Sequence, residues 1–185
     1  MYKRQIQSQL AAFRVVYPQG ARIGVIYSAP HVARLVKEAQ KATEVLRIAV
    51  VGRAVPSERE VPQALRSLLQ GSTAVDALWI PPDPVLLGEE TRHHILTETL
   101  MAARPVYSFS AALVAEGALA SNGPDFGSIG EHVGDLVNRI ASGQGVAKSP
   151  MLVPRGELVI NKKIAERLRI EIPPDALWAA QKILN

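Results

Sequence analysis

The chain contains no cysteine among its 185 residues, so disulfides, thiolate metal sites and thiol nucleophiles are excluded together. Aromatic residues are scarce, at 5%, and none interleaves with the basic residues Lys3, Arg4, Lys162, Lys163, Arg167 and Arg169. Glu166 and Glu171 break up the last four of these cations. The charge balance of +4 is therefore too small and too dispersed for a nucleic-acid surface, which needs a cationic stripe with stacking rings or a reading helix. No apolar run reaches the roughly 18–20 residues of a membrane helix, so the chain is not integral to a membrane. Met1–Gln5 has the positive start of an export signal, but Ile6-Gln7-Ser8-Gln9 follows where an apolar stretch belongs, and no signal peptide is read here.

What is present is a hydrophobic fraction of 48%, enough to bury a core, in a length that suits one domain. Ile6, Leu10, Phe13 and Val16–Tyr17 recur on a helical period and stop at Pro18 and Gly20. From Ala21 onward short β-branched runs alternate with helical patterns. Strands are expected at Arg22–Tyr27, Leu46–Val51, Asp76–Ile80, Pro105–Tyr107 and Gly117–Ala120. Helices are expected from Pro30 to about Thr43, after the Ser57–Glu60 capping box to Gly71, at Gly88–Ala102, at Ala111–Glu116 and at Asp125–Ser142. Extended pieces follow near Met151–Val153 and Glu157–Ile160, then helices around Lys162–Arg169 and Asp175–Leu184. Alternation of this kind implies an α/β fold, a doubly wound, mostly parallel sheet with helices on both faces.

Open sheets of this type take ligands outside the carboxyl ends of their strands. The strand assignments bring Tyr27, Ser28 and Ala29, then Gly52 and Arg53, Pro82 and Asp83, Ser108, Phe109 and Ser110, and Ser121 and Asn122 to that edge. Asp83 could hold an ammonium and the Ser28–Pro30 turn a carboxylate, together suiting a zwitterionic amino acid. The alternative is that Asp83 and Ser28 simply cap their helices.

Catalytic and metal signals are weak. His93 and His94 are neighbours and diverge by about 100° on a helix, while His31 and His132 stand singly. Gly143–Ser149 imitates a phosphate loop, but Ala147 stands where a glycine is required and the segment follows a helix. Gly123, Gly127 and Gly130 do not fit a dinucleotide fingerprint, and no G-x-S-x-G elbow occurs. No catalytic residue, metal or cofactor is assigned.

The stretch Gly117-Ala118-Leu119-Ala120-Ser121-Asn122-Gly123-Pro124-Asp125-Phe126-Gly127-Ser128-Ile129-Gly130 resembles the ABC-transporter substrate-binding proteins of the type I periplasmic-binding fold, the branch with tryptophan- and tyrosine-binding members. Ile23–Tyr27, Val75–Pro81 with Asp83, and Glu157–Asn161 with Ala165 and Ile170–Pro173 agree with it. The resemblance implies a second lobe only: residues 1–20 as a helix leading in, 21–124 as a ligand-binding lobe, and 125–185 as a crossover helix, short strands and terminal helices returning to a missing first lobe. It further implies a non-enzymatic solute-binding component that takes an amino acid or similar solute, closes by a hinge and delivers it to a permease. Ligand contacts would fall to Tyr27, Ser28, Asp83, Phe109 and Ser110, with Tyr27 and Phe109 as aromatic walls. Where the family often has asparagine after the aspartate this chain has Pro84, and its first turn reads Ser28-Ala29-Pro30-His31 in place of asparagine and glutamate. Localisation would be periplasmic by resemblance, or cytoplasmic if Met1 is the native start. The alternative function is a cytoplasmic small-molecule-sensing regulatory module built on the same lobe. An isolated lobe would leave Val133 and Val137 under-buried, which favours a homodimer.

Overall fold

The computed structural model describes residues 2–144 and 156–185. A leading helix, α1 (Tyr2–Val16), precedes five strand–helix units. These run β1 (Arg22–Tyr27), α2 (Pro30–Leu46), β2 (Ala49–Ala54), α3 (Val61–Leu69), β3 (Ala77–Ile80), α4 (Glu89–Met101), β4 (Val106–Ser108), α5 (Ala111–Glu116), β5 (Ala120–Pro124) and α6 (Phe126–Ala141). Then come β6 (Gly156–Asn161), α7 (Lys162–Leu168), α8 (Pro174–Ala179) and β7 (Lys182–Leu184). The seven strands form one sheet in the order β2-β1-β3-β4-β5-β6-β7. The first five are parallel, β6 runs antiparallel to β5, and β7 is parallel to β6.

The central strands β1, β3 and β4 are buried on both faces, as parallel strands between helical layers must be, while the edge strands β2 and β7 are largely half-exposed. On one face Ile23, Val25, Trp79, Tyr107 and Ile160 pack under α1, α2, α7 and α8. Ile26, Leu78, Ile80, Val106 and Val159 face α3, α4 and α5. Within α1, Leu10, Phe13 and Val16 are buried at helical spacing, and Phe13 meets Tyr107 edge-on at 5.7 Å. The doubly wound α/β architecture expected from the alternation is the one observed.

Four details differ from the sequence reading. The second strand lies three residues later, at Ala49–Ala54. The fifth is Ala120–Pro124 rather than Gly117–Ala120, because pairing with β6 draws Ser121–Pro124, locally a turn-forming run, into the ladder. The expected terminal helix stops at Ala179, and Lys182–Leu184 is a strand held against Val159–Asn161. The capping box opens a 3₁₀ turn, Glu58–Glu60, in which the Ser57 hydroxyl donates to the Glu60 carboxylate at 2.6 Å rather than to the helix backbone. The expected extended piece at Met151–Val153 and most of the phosphate-loop imitation lie outside the described residues.

Beyond residue 125 the elements do not all leave the lobe. Strands β6 and β7 widen its sheet, and Ile164, Ala165 and Ala176 of α7 and α8 enter its core. Helix α6 alone stands off: it has no buried residue, and Val133, Val137 and Ile140 are each more than half exposed.

Candidate functional site at the carboxyl edge of the sheet

The parallel register of β1, β3 and β4 brings their carboxyl ends to one edge. Ser28 follows β1 and Asp83 follows β3, and there the two side chains meet. The Ser28 hydroxyl donates to Asp83 Oδ1 at 2.7 Å and the Ser28 N–H to Oδ2 at 2.7 Å. The Ala29 N–H adds a bond to Oδ2 at 3.0 Å, and the Val85 N–H one to Oδ1 at 3.1 Å. Asp83 is fully buried, with 0% of its surface accessible. Burial alone would push its carboxyl pKa up, but the Ser28 hydroxyl and the three N–H groups outweigh that and hold it below the ordinary value.

This corrects the role read for Asp83. Four donors of its own chain saturate both oxygens, so no face of the carboxylate remains for a ligand ammonium. Asp83 is instead the N-cap of the short 3₁₀ turn Pro84–Leu86 and a strut that fixes the turn after β1. Ser28 does not cap α2: the cap position is Ala29, which has no side-chain acceptor.

The first turn of α2 is consequently uncapped. Pro30 has no N–H, and Ala33 bonds back to the Ala29 carbonyl at 3.0 Å. The N–H groups of His31 and Val32 find no acceptor among the described residues, and they lie at the amino end of a helix of 17 residues. The sequence reading places the anion contact in this turn, on Ser28 together with the nearby helix N–H groups; in the structure the Ser28 hydroxyl proton is already committed to Asp83, and the N–H groups are what is left. The signal for the backbone donors was the alanine and proline at the cap and first helical positions.

Phe109 and Ser110 lie at the same edge, beyond β4. The Ser110 hydroxyl accepts from the Ala112 N–H at 3.2 Å and caps α5. Together with Ala112, Gly123, Phe126 and Glu157 they line a largely apolar depression of about 340 Å³. Gly123, Phe126 and Glu157 were not singled out as ligand contacts. Only the antiparallel pairing of β6 with β5 brings Glu157 opposite Gly123. Gly123 is required here, since a Cβ at that position would sit 2.5 Å from the Phe109 carbonyl oxygen.

The remaining residues read at the edge lie elsewhere. Tyr27 is half-buried with its ring across Gly52, on the α2 side of the sheet, and lines no part of the depression. Arg53 is within β2 and bonds to the Ser67 hydroxyl of α3 at 3.2 Å. Ser121 is buried within β5, and Asn122 donates to the Ser8 carbonyl and hydroxyl of α1 at 3.4 Å. Among the described residues no three His, Asp or Glu side chains gather in a way that could hold a metal ion. No described helix is long and apolar enough to cross a membrane.

Comparison with known proteins agrees with this architecture. Residues 3–184 match the family model described as ABC transporter substrate binding protein. A curated tyrosine-binding protein of Clostridioides difficile is 24% identical over 170 residues, covering 90% of this chain and 48% of its own length. The crystal structure of an ABC domain in complex with L-Trp from Streptococcus pneumoniae superposes with a TM-score of 0.76 at 27% identity, covering 97% of this chain and 60% of that one. The ligand-free, open structure of a Clostridium difficile substrate-binding protein with adhesive properties shares the fold, with a TM-score of 0.79 at 21% identity over 96% of this chain and 59% of that one. The chain thus spans about half the length of the curated relative it matches. With the sheet order, the edge and the match running across nearly its whole length, the chain belongs to the ABC transporter substrate binding protein family.

Proposed function

We propose that this chain is a ligand-binding lobe of a solute receptor for an ABC-type importer. Its ligand is an amino acid with an aromatic side chain, and it acts outside the cytoplasm by handing that ligand to a permease without catalysing a reaction. The printed ligands of two relatives, tyrosine and L-Trp, support the ligand class. The observation that carries the reading is the pair of free amides of His31 and Val32, held at the sheet edge by the Ser28–Asp83 lock.

A ligand carboxylate accepts from those amides, with the positive end of the α2 dipole behind them. Ser28 sets the turn, and Asp83 acts through Ser28 rather than on the ligand. Phe109 and Ser110 border the apolar depression that receives the side chain, while Tyr27 braces β1 against β2. The ammonium partner and the second wall of the cleft belong to a further lobe, of the kind that the greater length of the relatives accommodates. Closure of two lobes then signals occupancy to the permease.

The test is an amide-resolved NMR titration of the 185-residue chain with L-Trp, L-Tyr and L-Asp into the millimolar range. The aromatic amino acids should shift the amides of His31, Val32, Phe109 and Ala112, weakly and saturably, and L-Asp should not. Equal response to all three, or no response at these amides, would sink the proposal.

A further inference from the structure

The apolar depression beyond β4 holds one group that an apolar ring cannot satisfy. Of the described residues that line it, Glu157 alone is ionisable. Its side chain is half-buried, and no hydrogen bond or ion pair joins its carboxylate to another described residue. Asp83, at the same edge, is the reverse case, a carboxylate consumed by four donors of its own chain.

The fold fixes where the Glu157 carboxylate stands. β6 pairs with β5 from Gly156 to Ile160, which sets Glu157 opposite Gly123. Side chains alternate along a strand, and Val159 packs on the side of the sheet that faces α3, α4 and α5. Glu157, two residues earlier, projects to that side as well, where Phe109 also packs. Gly123 abuts the Phe109 carbonyl and adds no side chain to screen Glu157 from that segment. On its other edge the start of β6 is tied down, the Leu158 N–H donating to the Gln181 side-chain oxygen at 2.7 Å. The acceptor is therefore held in place before any ligand arrives.

We infer that Glu157 selects among aromatic side chains by accepting a hydrogen bond from a donor on the rim of the ring, a phenol hydroxyl or an indole N–H. The inference rests on the solute reading above, in which this depression receives the ligand side chain. A ring that fills the depression strips water from the carboxylate, and a buried acceptor left unmet costs free energy. A phenol or indole replaces the lost water with its own donor. Phenylalanine has an apolar ring without one and leaves the carboxylate unpaired. Selection of this kind is strong because it acts against the ligand that lacks the polar atom.

The experiment is an amide-resolved NMR titration of the 185-residue chain with L-Tyr, L-Trp and L-Phe, run on the wild type, Glu157→Gln and Glu157→Leu. In the wild type L-Tyr and L-Trp should bind about tenfold more tightly than L-Phe, as one hydrogen bond to a charged acceptor provides. Glu157→Gln keeps an acceptor without the charge and should narrow the margin to about threefold. Glu157→Leu should abolish it, with L-Phe binding at least as tightly as it does to the wild type. A carboxylate that only set the local field would move all three affinities together and leave their ratios intact.

Shifts at His31 and Val32 report the carboxylate end of the ligand, and shifts at Phe109 and Ala112 report the ring. Silence at His31 and Val32 with all three ligands would bring down the solute reading and this inference with it. Saturable shifts there, with no margin in the wild type or an unchanged margin in Glu157→Leu, would overturn the role of Glu157 alone. Should Glu157→Leu not fold, an unnarrowed margin in the isosteric Glu157→Gln overturns it by itself.

Discussion

Ser28 and Asp83, separated by 55 positions in sequence, are joined by two hydrogen bonds of 2.7 Å, one from the serine hydroxyl and one from its amide. This pair ties the end of β1 to the end of β3 and aims the amino terminus of α2 outward.

Asp83→Ala should be strongly destabilising. It strands the amides of Ser28, Ala29 and Val85 and the Ser28 hydroxyl, and each buried unmet donor costs about 1–3 kcal/mol. A loss of about 3 kcal/mol or more in urea unfolding is expected. A loss below about 1 kcal/mol would show that the turn holds without its strut.

The same carboxylate makes stability depend on pH in a definite direction. Its pKa in the folded state lies below that in the unfolded chain, so the stability it supplies is complete above the unfolded value of about 4 and is lost as pH falls through the folded value. Urea midpoints measured from neutral pH down into this acid window should fall for the wild type. The Asp83→Asn variant should show a smaller fall; equal slopes would remove Asp83 from the acid response.

Gly123→Ala tests the contact between β5 and the segment after β4. The added methyl would stand 2.5 Å from the Phe109 carbonyl oxygen, a backbone atom that cannot swing aside. Overpacking of this kind costs about 1–3 kcal/mol, and the Phe109 amide should shift in the NMR spectrum. A variant as stable as the wild type would mean that the two segments separate freely.

Tyr107 gives the opposite expectation. Its ring is buried against Phe13, yet its hydroxyl has no partner among the described residues, and burial pushes its pKa well above the ordinary tyrosine value. Tyr107→Phe removes an unpaired buried hydroxyl and should be neutral or stabilising by about 1 kcal/mol. The wild type should also lose stability as pH rises beyond the unfolded value of about 10, and the variant should lose less. A clear destabilisation would reveal a hydrogen bond to this hydroxyl.

Much of the fold could be read from local pattern. The β-branched run at Arg22–Tyr27 and the helical turn at Ala111–Glu116 lie where the sequence puts them. So does α6 to within a residue at each end, because capping and periodicity are properties of neighbouring residues. The terminal segment misled because Ala176, Leu177, Ala180 and Leu184 also fit a helical period. Pairing of Lys182–Leu184 with β6, some twenty residues earlier, decides against the helix.

The candidate site divides the same way. That Ser28, Asp83, Phe109 and Ser110 lie at one edge follows from parallel strands joined by helices. Which atoms remain free there does not, because it depends on how the donors of two distant turns are satisfied. By itself the sequence determined the layering, through alternation of apolar strands and amphipathic helices. Only the tertiary structure decided that Asp83 spends its charge within the protein and leaves the amides of His31 and Val32 open, since hydrogen bonding saturates and the nearest donors reach the carboxylate first.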